Sequence, residues 1–210
     1  MKIAIIGTGN VGSALGKGWA SKGHTILFGT RQPESEKVQK LLAEVGEGGT
    51  AVSIPSAIQQ ANIILLATPW NVVSQVTESV TDWQGKIVID ATNPIAPGLQ
   101  LAVGHTTSAA EQLATHLPGA SVVKAFNTTG AENMADPRYD GEPITMFICG
   151  DDADAKATVT ELAEGLGFDV ADVGGLETAR FIEPLAMVWI HLAIKQGFGR
   201  NIAFKLVHRL

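Results

Sequence analysis

Cysteine, clustered positive charge and long apolar runs are all scarce in this chain. Cys149 is the one cysteine among 210 residues, so an intrachain disulfide is excluded. The 15 Lys and Arg stand against 21 Asp and Glu, a net charge of −6 with no basic cluster, which argues against a nucleic-acid partner. The apolar stretch 185–194 is too short to cross a hydrocarbon core of about 30 Å, so no membrane association is predicted. No secretory signal precedes the strand-like run at 3–6, so a cytoplasmic protein is expected.

Several catalytic motifs are also missing. The sequence holds no G-x-S-x-G elbow, no H-E-x-x-H pair, no Cys/His cluster with metal spacing and no evident carboxylate dyad. Covalent hydrolysis and metal chemistry are therefore disfavoured, and no metal site is predicted. The histidines are scattered along the chain, and each is interpreted as structural or solvated: His24, His105, His116, His191 and His208.

What the chain does have is a regular alternation of short Val- and Ile-rich runs with longer helical patterns. The runs occupy residues 2–6, 25–29, 62–67, 86–90, 121–124 and 144–149, and 46–50 is interpreted as a loop. Such alternation is typical of βαβ units, and runs without polar alternation fit strands that are covered on both faces. The predicted fold class is α/β, with a doubly wound parallel sheet of the Rossmann type.

A glycine motif joins the first predicted strand to the first helix. Gly7, Gly9 and Gly12 satisfy G-x-G-x-x-G between the run at 2–6 and a helical pattern at 13–22. Gly7 permits the tight turn, Gly9 lets the backbone approach a pyrophosphate, and Gly12 lets the helix pack closely on the strand. The free N–H groups of the helix then face the anion. The turn predicts a dinucleotide site, with Thr8, Asn10 and Val11 as the intervening cofactor-binding residues.

The end of the second predicted strand indicates which dinucleotide binds. Thr30 and Arg31 stand where NAD-selective enzymes usually carry an acidic residue for the ribose 2′-hydroxyl. A guanidinium presents a planar fork of donors that suits a 2′-phosphate instead. The sequence therefore favours NADP(H) over NAD(H), and Ser35 is included among the residues predicted to bind it.

Turn-forming and polar residues follow three further predicted strands. They are Thr68, Pro69 and Trp70 after one run, Asn93 and Pro94 after the next, and Asn127 after the third. Ligands of open parallel sheets lie beyond the carboxyl ends of the strands, so these ends are expected to converge on one crevice. No catalytic side chain is predicted, because hydride transfer between two organic cofactors requires only that the reacting carbons be held close with water excluded. Asn127 is the one candidate for such a role.

The pattern changes after Gly150. A helix is predicted over 153–165, a short strand over 168–171, and an apolar helical segment from 176 onwards. We therefore predict an NADP-binding domain over 1–150 and a C-terminal segment over 151–210 that passes from α/β to mainly helical. Its last helix is apolar nearly all round, at Met187, Trp189 and 192–194, which favours burial against a second copy of the chain.

Six segments carry a family resemblance that covers essentially the whole chain. They are G-T-G-N-V-G at 7–12, G-T-R at 29–31, T-P-W at 68–70, K-A-F-N-T at 124–128, C-G-D-D at 149–152 and the stretch 174–183. Together they resemble the NADPH-dependent reductases of the deazaflavin coenzyme F420. The resemblance implies a homodimer in which NADP is held by 8–11 and 30–31 and F420 stacks on the nicotinamide. It also implies that Trp70 and Ser74 flank the nicotinamide half, and that Ile95, Thr129 and Ala131 line the junction of the two rings.

The sequence of this chain differs from that of the F420 reductases in one segment. The archaeal reductases of this family have a segment similar to His-Thr-Ile-Pro at the positions where this chain has Asn-Thr-Thr-Gly, residues 127–130. The K-A-F-N-T form and the pattern at 172–183 are also similar to the cytosolic domains of six-transmembrane ferric reductases, which pass hydride to a flavin. A flavin therefore stands beside F420 as the alternative acceptor.

Two other functions stay open at this stage. A dehydrogenase of small hydroxy or imino acids needs a catalytic lysine on a long helix after the Rossmann domain, and Lys195 is the nearby candidate. Because Lys195 lies in an apolar helix, we interpret it instead as a surface lysine whose aliphatic chain lies along the apolar surface while its ammonium group reaches solvent. The second alternative is a non-catalytic NADPH sensor whose affinity for a partner changes when the nucleotide binds.

Overall fold

The computed structural model of the chain describes residues 1–209, so Leu210, the last residue of the predicted C-terminal segment, lies outside the described residues. The strands are β1 (Lys2–Ile6), β2 (Thr25–Gly29), β3 (Gly49–Val52), β4 (Ile63–Leu66), β5 (Ile87–Asp90), β6 (Ile95–Ala96), β7 (Gln100–Leu101), β8 (Ser121–Lys124), β9 (Arg138–Tyr139), β10 (Glu142–Pro143), β11 (Thr145–Gly150) and β12 (Asp169–Asp172). The α-helices are α1 (Asn10–Ser21), α2 (Glu36–Val45), α3 (Ile54–Gln60), α4 (Val73–Thr77), α5 (Ala109–Thr115), α6 (Ala131–Ala135), α7 (Ala153–Leu166) and α8 (Ala179–Ile190).

One eight-stranded sheet organises the chain, in the order β12-β11-β8-β5-β4-β1-β2-β3. Its neighbours pair in parallel, apart from β11 and β8, which are antiparallel. The short pairs β6–β7 and β9–β10 form two separate hairpins. The strand order reverses between β1 and β4, and open α/β sheets bind their ligands at such a switch point. The predicted doubly wound α/β fold of the Rossmann type is confirmed.

The strands lack polar alternation because helices cover both faces of the sheet. Ile3 and Ile5 pack into one core with α1, α2 and α7, whereas Ala4 and Ile6 pack into the other with α3, α5 and α8. All four side chains are fully buried. Burying an isoleucine stabilises the fold by roughly 1.5–3 kcal/mol, so these alternating contacts fix the register of β1 and the place of the turn that follows it.

Two features of the sheet differ from the sequence prediction. Residues 49 and 50, the end of the loop predicted over 46–50, instead begin the edge strand β3, because a half-exposed edge strand needs no continuous apolar run. The antiparallel placement of β11 also departs from a fully parallel sheet. Its chain direction follows from the connection through α6 and the β9–β10 hairpin, which replaces a standard crossover helix.

The C-terminal segment is less helical than predicted. Helix α8 ends in one π-helical turn at His191–Lys195, and residues 199–209 contain no helix. Gly197 and Gly199 take left-handed backbone angles, with φ of 75° and 78°, which ends the helical course of the chain. The tail then runs back along the molecule, where the Phe204 carbonyl accepts a hydrogen bond from Thr145 N at 3.1 Å.

The predicted boundary at residue 150 lies within this continuous sheet. Residues 151–172 add α7 and β12, and β12 pairs in parallel with β11. The division into 1–150 and 151–210 therefore stays a prediction about function. None of the helices within residues 1–209 is both long and apolar enough to cross a membrane.

Candidate cofactor-binding site

The turn between β1 and α1 is built around its glycines. Gly7 has φ of 119°, and a Cβ there would lie 2.5 Å from the Ala67 carbonyl oxygen. A Cβ on Gly12 would lie 2.0 Å from the carbonyl oxygen of Gly7, so only glycine lets helix and turn pack this closely. A Cβ on Gly9, by contrast, meets no atom within 4 Å. Gly9 therefore faces open space, which leaves room for a ligand against the backbone.

The first turn of α1 has the properties of an anion site. Gly9 is the N-cap residue, no side chain caps the helix, and the first turn contains no acidic residue. The N–H groups at the start of a helix have no intrahelical partner, and the helix dipole favours negative charge there. Backbone groups beside an open space are the arrangement by which a pyrophosphate binds a Rossmann turn.

A cleft of about 380 Å³ opens beside this turn. It is lined by the glycine turn and by the ends of β2 and β4, including Gly7, Thr8, Gly9, Thr30, Arg31, Thr68 and Pro69. A second recess shares Thr8, Thr30 and Arg31 with it and adds Ser35. The structure thus brings together the glycine turn at 7–9 with Thr30, Arg31 and Ser35. The other residues predicted for the pyrophosphate end, at 10–12, line neither recess.

Lys37 is a lining residue of both recesses that the sequence analysis did not identify. It lies in the first turn of α2 and is exposed. No motif marked it, because its position depends on how α2 folds back beside Arg31. The two cations make this end of the cleft positive.

The end of β4 separates the predicted residues into two groups. Thr68 and Pro69 line the cleft, and the Thr68 hydroxyl oxygen is buried without a hydrogen-bond partner among the described residues. Trp70 and Ser74 instead line a separate pocket of about 190 Å³, together with His116. The helical turn after Pro69 places positions 72, 75 and 76 toward the cleft and turns 70 and 74 away from it.

The ends of β5 and β8 are joined by a pair of asparagines. Asn93 Nδ2 donates to the backbone oxygen of Asn127 at 3.0 Å, and Asn127 Nδ2 donates to Asn93 Oδ1 at 3.1 Å. Phe126, just before the second asparagine, is buried with φ of 61°. A left-handed backbone is costly for an aromatic residue, and such strain persists where surrounding packing fixes it, often at ligand sites.

The remaining predicted residues lie on the loops after β5 and β8. The Pro94 carbonyl accepts a hydrogen bond from Ala102 N at 2.7 Å, and Ile95 opens the β6–β7 hairpin with 41% of its surface exposed. Thr129 accepts a hydrogen bond from Asn133 Nδ2 at 2.8 Å, and Ala131 is the buried first residue of α6. Asn10 and Val11 form the first turn of α1.

Beneath the strand ends lies a fully buried charged cluster. Lys124 Nζ is 2.9 Å from Asp90 Oδ2 and 2.9 Å from Glu183 Oε1, and it donates to the Thr92 carbonyl at 2.7 Å. Burial disfavours the charged ammonium, but the two carboxylates outweigh it and raise the pKa of Lys124. Asp90 Oδ1 in turn accepts from the N–H and the hydroxyl of Thr92. The cluster therefore fixes the segment that leads into Asn93.

The lysine considered for dehydrogenase chemistry lies elsewhere. Lys195 ends the π-helical turn after α8 and is exposed, and it lines none of the recesses beside the glycine turn. Its place agrees with the interpretation as a surface lysine.

Comparisons with known proteins agree with this geometry. Residues 2–94 match the family described as NADP oxidoreductase, coenzyme F420-dependent. The F420-dependent NADP reductase of Methanothermobacter thermautotrophicus is 32% identical over 99% of this chain and 95% of its own length. A solved structure assigned as an F420-dependent NADP reductase from Arthrobacter sp. FB24 superposes with a TM-score of 0.88 at 33% identity, covering 99% of this chain and 100% of that one.

A metalloreductase provides a second similarity. Rat metalloreductase STEAP3 is 33% identical over 89% of this chain, but the chain spans 36% of that protein's length. The match therefore concerns one part of STEAP3.

The Rossmann sheet, the uncapped glycine turn and these relatives define an NADPH-dependent oxidoreductase. Nearly the whole of this chain aligns with nearly the whole of the archaeal reductase. The chain belongs to the F420-dependent NADP reductase family.

Proposed function

We propose that this protein transfers a hydride between NADP(H) and the deazaflavin coenzyme F420 bound beside the nicotinamide. The uncapped start of α1, open beside Gly9 and flanked by two cations, is the observation that carries the proposal. The names of the full-length relatives supply the second cofactor. When bound, NADPH supplies the hydride and the deazaflavin ring accepts it.

The residues of the cleft fit NADP along its length. The N–H groups at the start of α1 would hold the pyrophosphate, and Arg31, Lys37 and the Thr30 hydroxyl would hold the adenosine 2′-phosphate, with Ser35 lining the same recess. The residues at the carboxyl ends of β4, β5 and β8 would hold the nicotinamide and the second ring. Bringing the reacting carbons close and excluding water would be the whole of their catalytic task in a direct hydride transfer.

Two glycine variants test the pyrophosphate site. Gly9→Ala is expected to leave the melting temperature unchanged, because the added Cβ meets nothing and φ of −82° suits alanine, yet to weaken NADP⁺ binding at least tenfold. Gly12→Ala is expected to lower the melting temperature, because its Cβ would overlap the Gly7 carbonyl. Thermal melting and calorimetric titration check both. If Gly9→Ala bound NADP⁺ with unchanged affinity, the pyrophosphate would not bind at this turn, and the proposal would be contradicted.

A flavin is the second candidate acceptor, favoured by the 33% identity to STEAP3 over 89% of this chain. Anaerobic stopped-flow absorbance, with NADPH mixed against F420 or FMN at equal concentrations, discriminates between the two. We expect NADPH oxidation to be at least tenfold faster with F420. Faster turnover with FMN would favour a flavin reductase, and tight NADPH binding with neither acceptor reduced would favour the sensor function.

We also propose that the protein is a homodimer that pairs through the outer face of α8. Trp189, which the sequence assigned to the interface, is instead buried within the chain, where its Nε1 donates to the backbone of the C-terminal tail. The exposed face is formed by Phe181 and Val188, which are seven residues apart and are 74% and 50% exposed. Ile194 continues the apolar face beyond the helix and is 52% exposed. Exposed apolar patches of this kind are unusual on monomers and mark association sites.

The dimer is tested by placing a charge on this face. Light scattering of the unchanged protein is expected to give twice the 22.0 kDa mass of the chain, and Val188→Glu is expected to give the monomer mass. Val207→Glu is the control, because Val207 is 76% exposed and follows Leu206, whose N–H donates to Thr145 of β11 rather than to α8. A monomer mass for the unchanged protein at micromolar concentration would contradict the proposal.

A further inference from the structure

Two of the segments that carry the family resemblance contain charged residues that do not line the cleft. Lys124 begins the K-A-F-N-T segment, and Glu183 ends the stretch 174–183. Neither lines the two recesses beside the glycine turn. Both belong instead to the buried cluster with Asp90, in which none of the three side chains has exposed surface. Their contribution therefore lies in the cluster itself.

The hydrogen bonds of the cluster fix the charge of each member. The Lys124 ammonium contacts both carboxylates and the Thr92 carbonyl, which uses all three of its hydrogens. Asp90 accepts from the lysine and twice from Thr92. Glu183 accepts from two N–H groups at the start of α5 and contacts the lysine. Every group that faces these carboxylates is a donor, so neither carboxylate carries a proton.

The cluster therefore has an uncompensated charge. One ammonium stands against two carboxylates, so one negative charge remains. The other donors to the carboxylates are neutral N–H and hydroxyl groups, and no second cation contacts them within residues 1–209. Water and salt screen a surface charge, whereas a buried charge acts through an interior whose effective permittivity is about 20 rather than about 80. The field of this charge thus extends beyond the cluster.

The cluster lies beneath the carboxyl edge of the sheet, close to the cleft. Asp90 is the last residue of β5 and pairs with Leu66 of β4, and Thr68, which lines the cleft, is two residues beyond Leu66. Parallel strands are about 4.8 Å apart and rise about 3.3 Å per residue, so the backbones of Asp90 and Thr68 are about 8 Å apart. The charge therefore lies on the order of 10 Å from the strand ends that would hold the nicotinamide.

The nicotinamide ring has a positive charge in NADP⁺ and none in NADPH, so a fixed charge nearby acts on one form only. We propose that the cluster of Asp90, Lys124 and Glu183 stabilises bound NADP⁺ relative to bound NADPH, which rests on the proposed function. At about 10 Å and an effective permittivity of about 20, one charge changes this preference by up to about tenfold. A tenfold change lowers the two-electron reduction potential of the bound nucleotide by about 30 mV. The cluster thus makes bound NADPH a stronger hydride donor.

Neutralising one carboxylate removes the net charge and tests the proposal. Glu183→Gln and Asp90→Asn do this from opposite sides of Lys124. The Kd values for NADP⁺, for NADPH and for adenosine 2′,5′-bisphosphate, which lacks the nicotinamide, are measured by calorimetric titration. Both variants are expected to bind NADP⁺ about fivefold more weakly, and to bind NADPH and the bisphosphate as the unchanged protein does.

The selectivity of the effect separates charge from structure. A distorted site would weaken NADP⁺ and NADPH by the same factor, whereas loss of the charge weakens NADP⁺ alone. A variant that is unstable without nucleotide still gives both affinities, from the rise of its melting temperature with each nucleotide. Glu142→Gln is the matched control, because Glu142 pairs with Lys205 at 2.7 Å on the surface, where water screens the charge.

The outcomes distinguish this inference from the proposed function. If the unchanged protein binds NADP⁺ but the two carboxylate variants shift both nucleotides equally, or shift neither, the cluster is a structural anchor only and the inference is overturned. If the unchanged protein binds neither nucleotide, the proposed function fails first.

Discussion

Replacing Arg31 by alanine is expected to lower the preference for NADPH over NADH by about tenfold or more. Arg31 lines both recesses at the adenosine end of the site. A hydrogen bond to a charged group contributes about 1.5–3 kcal/mol, and each 1.4 kcal/mol corresponds to about a tenfold change in affinity. NADH lacks the 2′-phosphate, so its affinity should hardly change. The ratio of the two dissociation constants, measured by calorimetry at one ionic strength, checks this.

Two lysines of α2 separate direct contact from general electrostatics. Lys37→Ala removes the second cation that lines the recesses and is expected to weaken NADPH binding in the same direction. Lys40→Ala removes the same charge from an exposed position of α2 that lines neither recess, and is expected to have little effect. If the ratio of the NADPH and NADH dissociation constants were unchanged in Arg31→Ala, Arg31 would not bind the 2′-phosphate.

Lys124→Met is expected to lower the free energy of unfolding by about 3–5 kcal/mol. The lysine bridges Asp90 at the end of β5 and Glu183 in α8, and all three side chains are fully buried. Glu183 also accepts hydrogen bonds from Ala109 N and Ala110 N at the start of α5. Removing the ammonium leaves two carboxylates facing each other without a counter-charge, so the loss exceeds that of one hydrogen bond. Urea-induced unfolding measures it.

An exposed ion pair provides the matched control for this cluster. Lys17 lies 3.0 Å from Glu44, with both side chains nearly half exposed. Lys17→Met removes the same group from solvent, where such pairs contribute about 0.2–1 kcal/mol. Equal small losses in the two lysine variants would show that the buried cluster does not anchor α8 to the strand ends.

The glycine turn and the buried strands were predictable because their causes are local. Gly7 and Gly12 are required by contacts within a few residues, and runs such as 63–66 are apolar because both faces of the sheet are covered. The edge strand β3 left no such signal, since its residues are half-buried or, like Thr50, exposed and form no continuous apolar run. The extended tail was missed because its apolar residues have a helical spacing, although two left-handed glycines direct it away from the helix.

The candidate site was only partly predictable for a different reason. Arg31 stands at a fixed distance from the glycine turn, so its place follows from the βαβ unit. Lys37 reaches the site through the packing of α2, which no short motif encodes. Trp70 and Ser74 were assigned to the nicotinamide half by resemblance, and the helical turn at the end of β4 places them in a neighbouring pocket. Their role at the cofactor stays a prediction.

Calorimetric titration of the unchanged protein with NADP⁺ and, separately, with NAD⁺ tests the central claim most directly. The uncapped α1 turn beside Arg31 and Lys37 predicts one NADP⁺ per chain, bound at least tenfold more tightly than NAD⁺. Equal affinity for the two nucleotides would contradict the assignment of the 2′-phosphate to these cations. No heat of binding with either nucleotide would contradict the account of the cleft as a cofactor site.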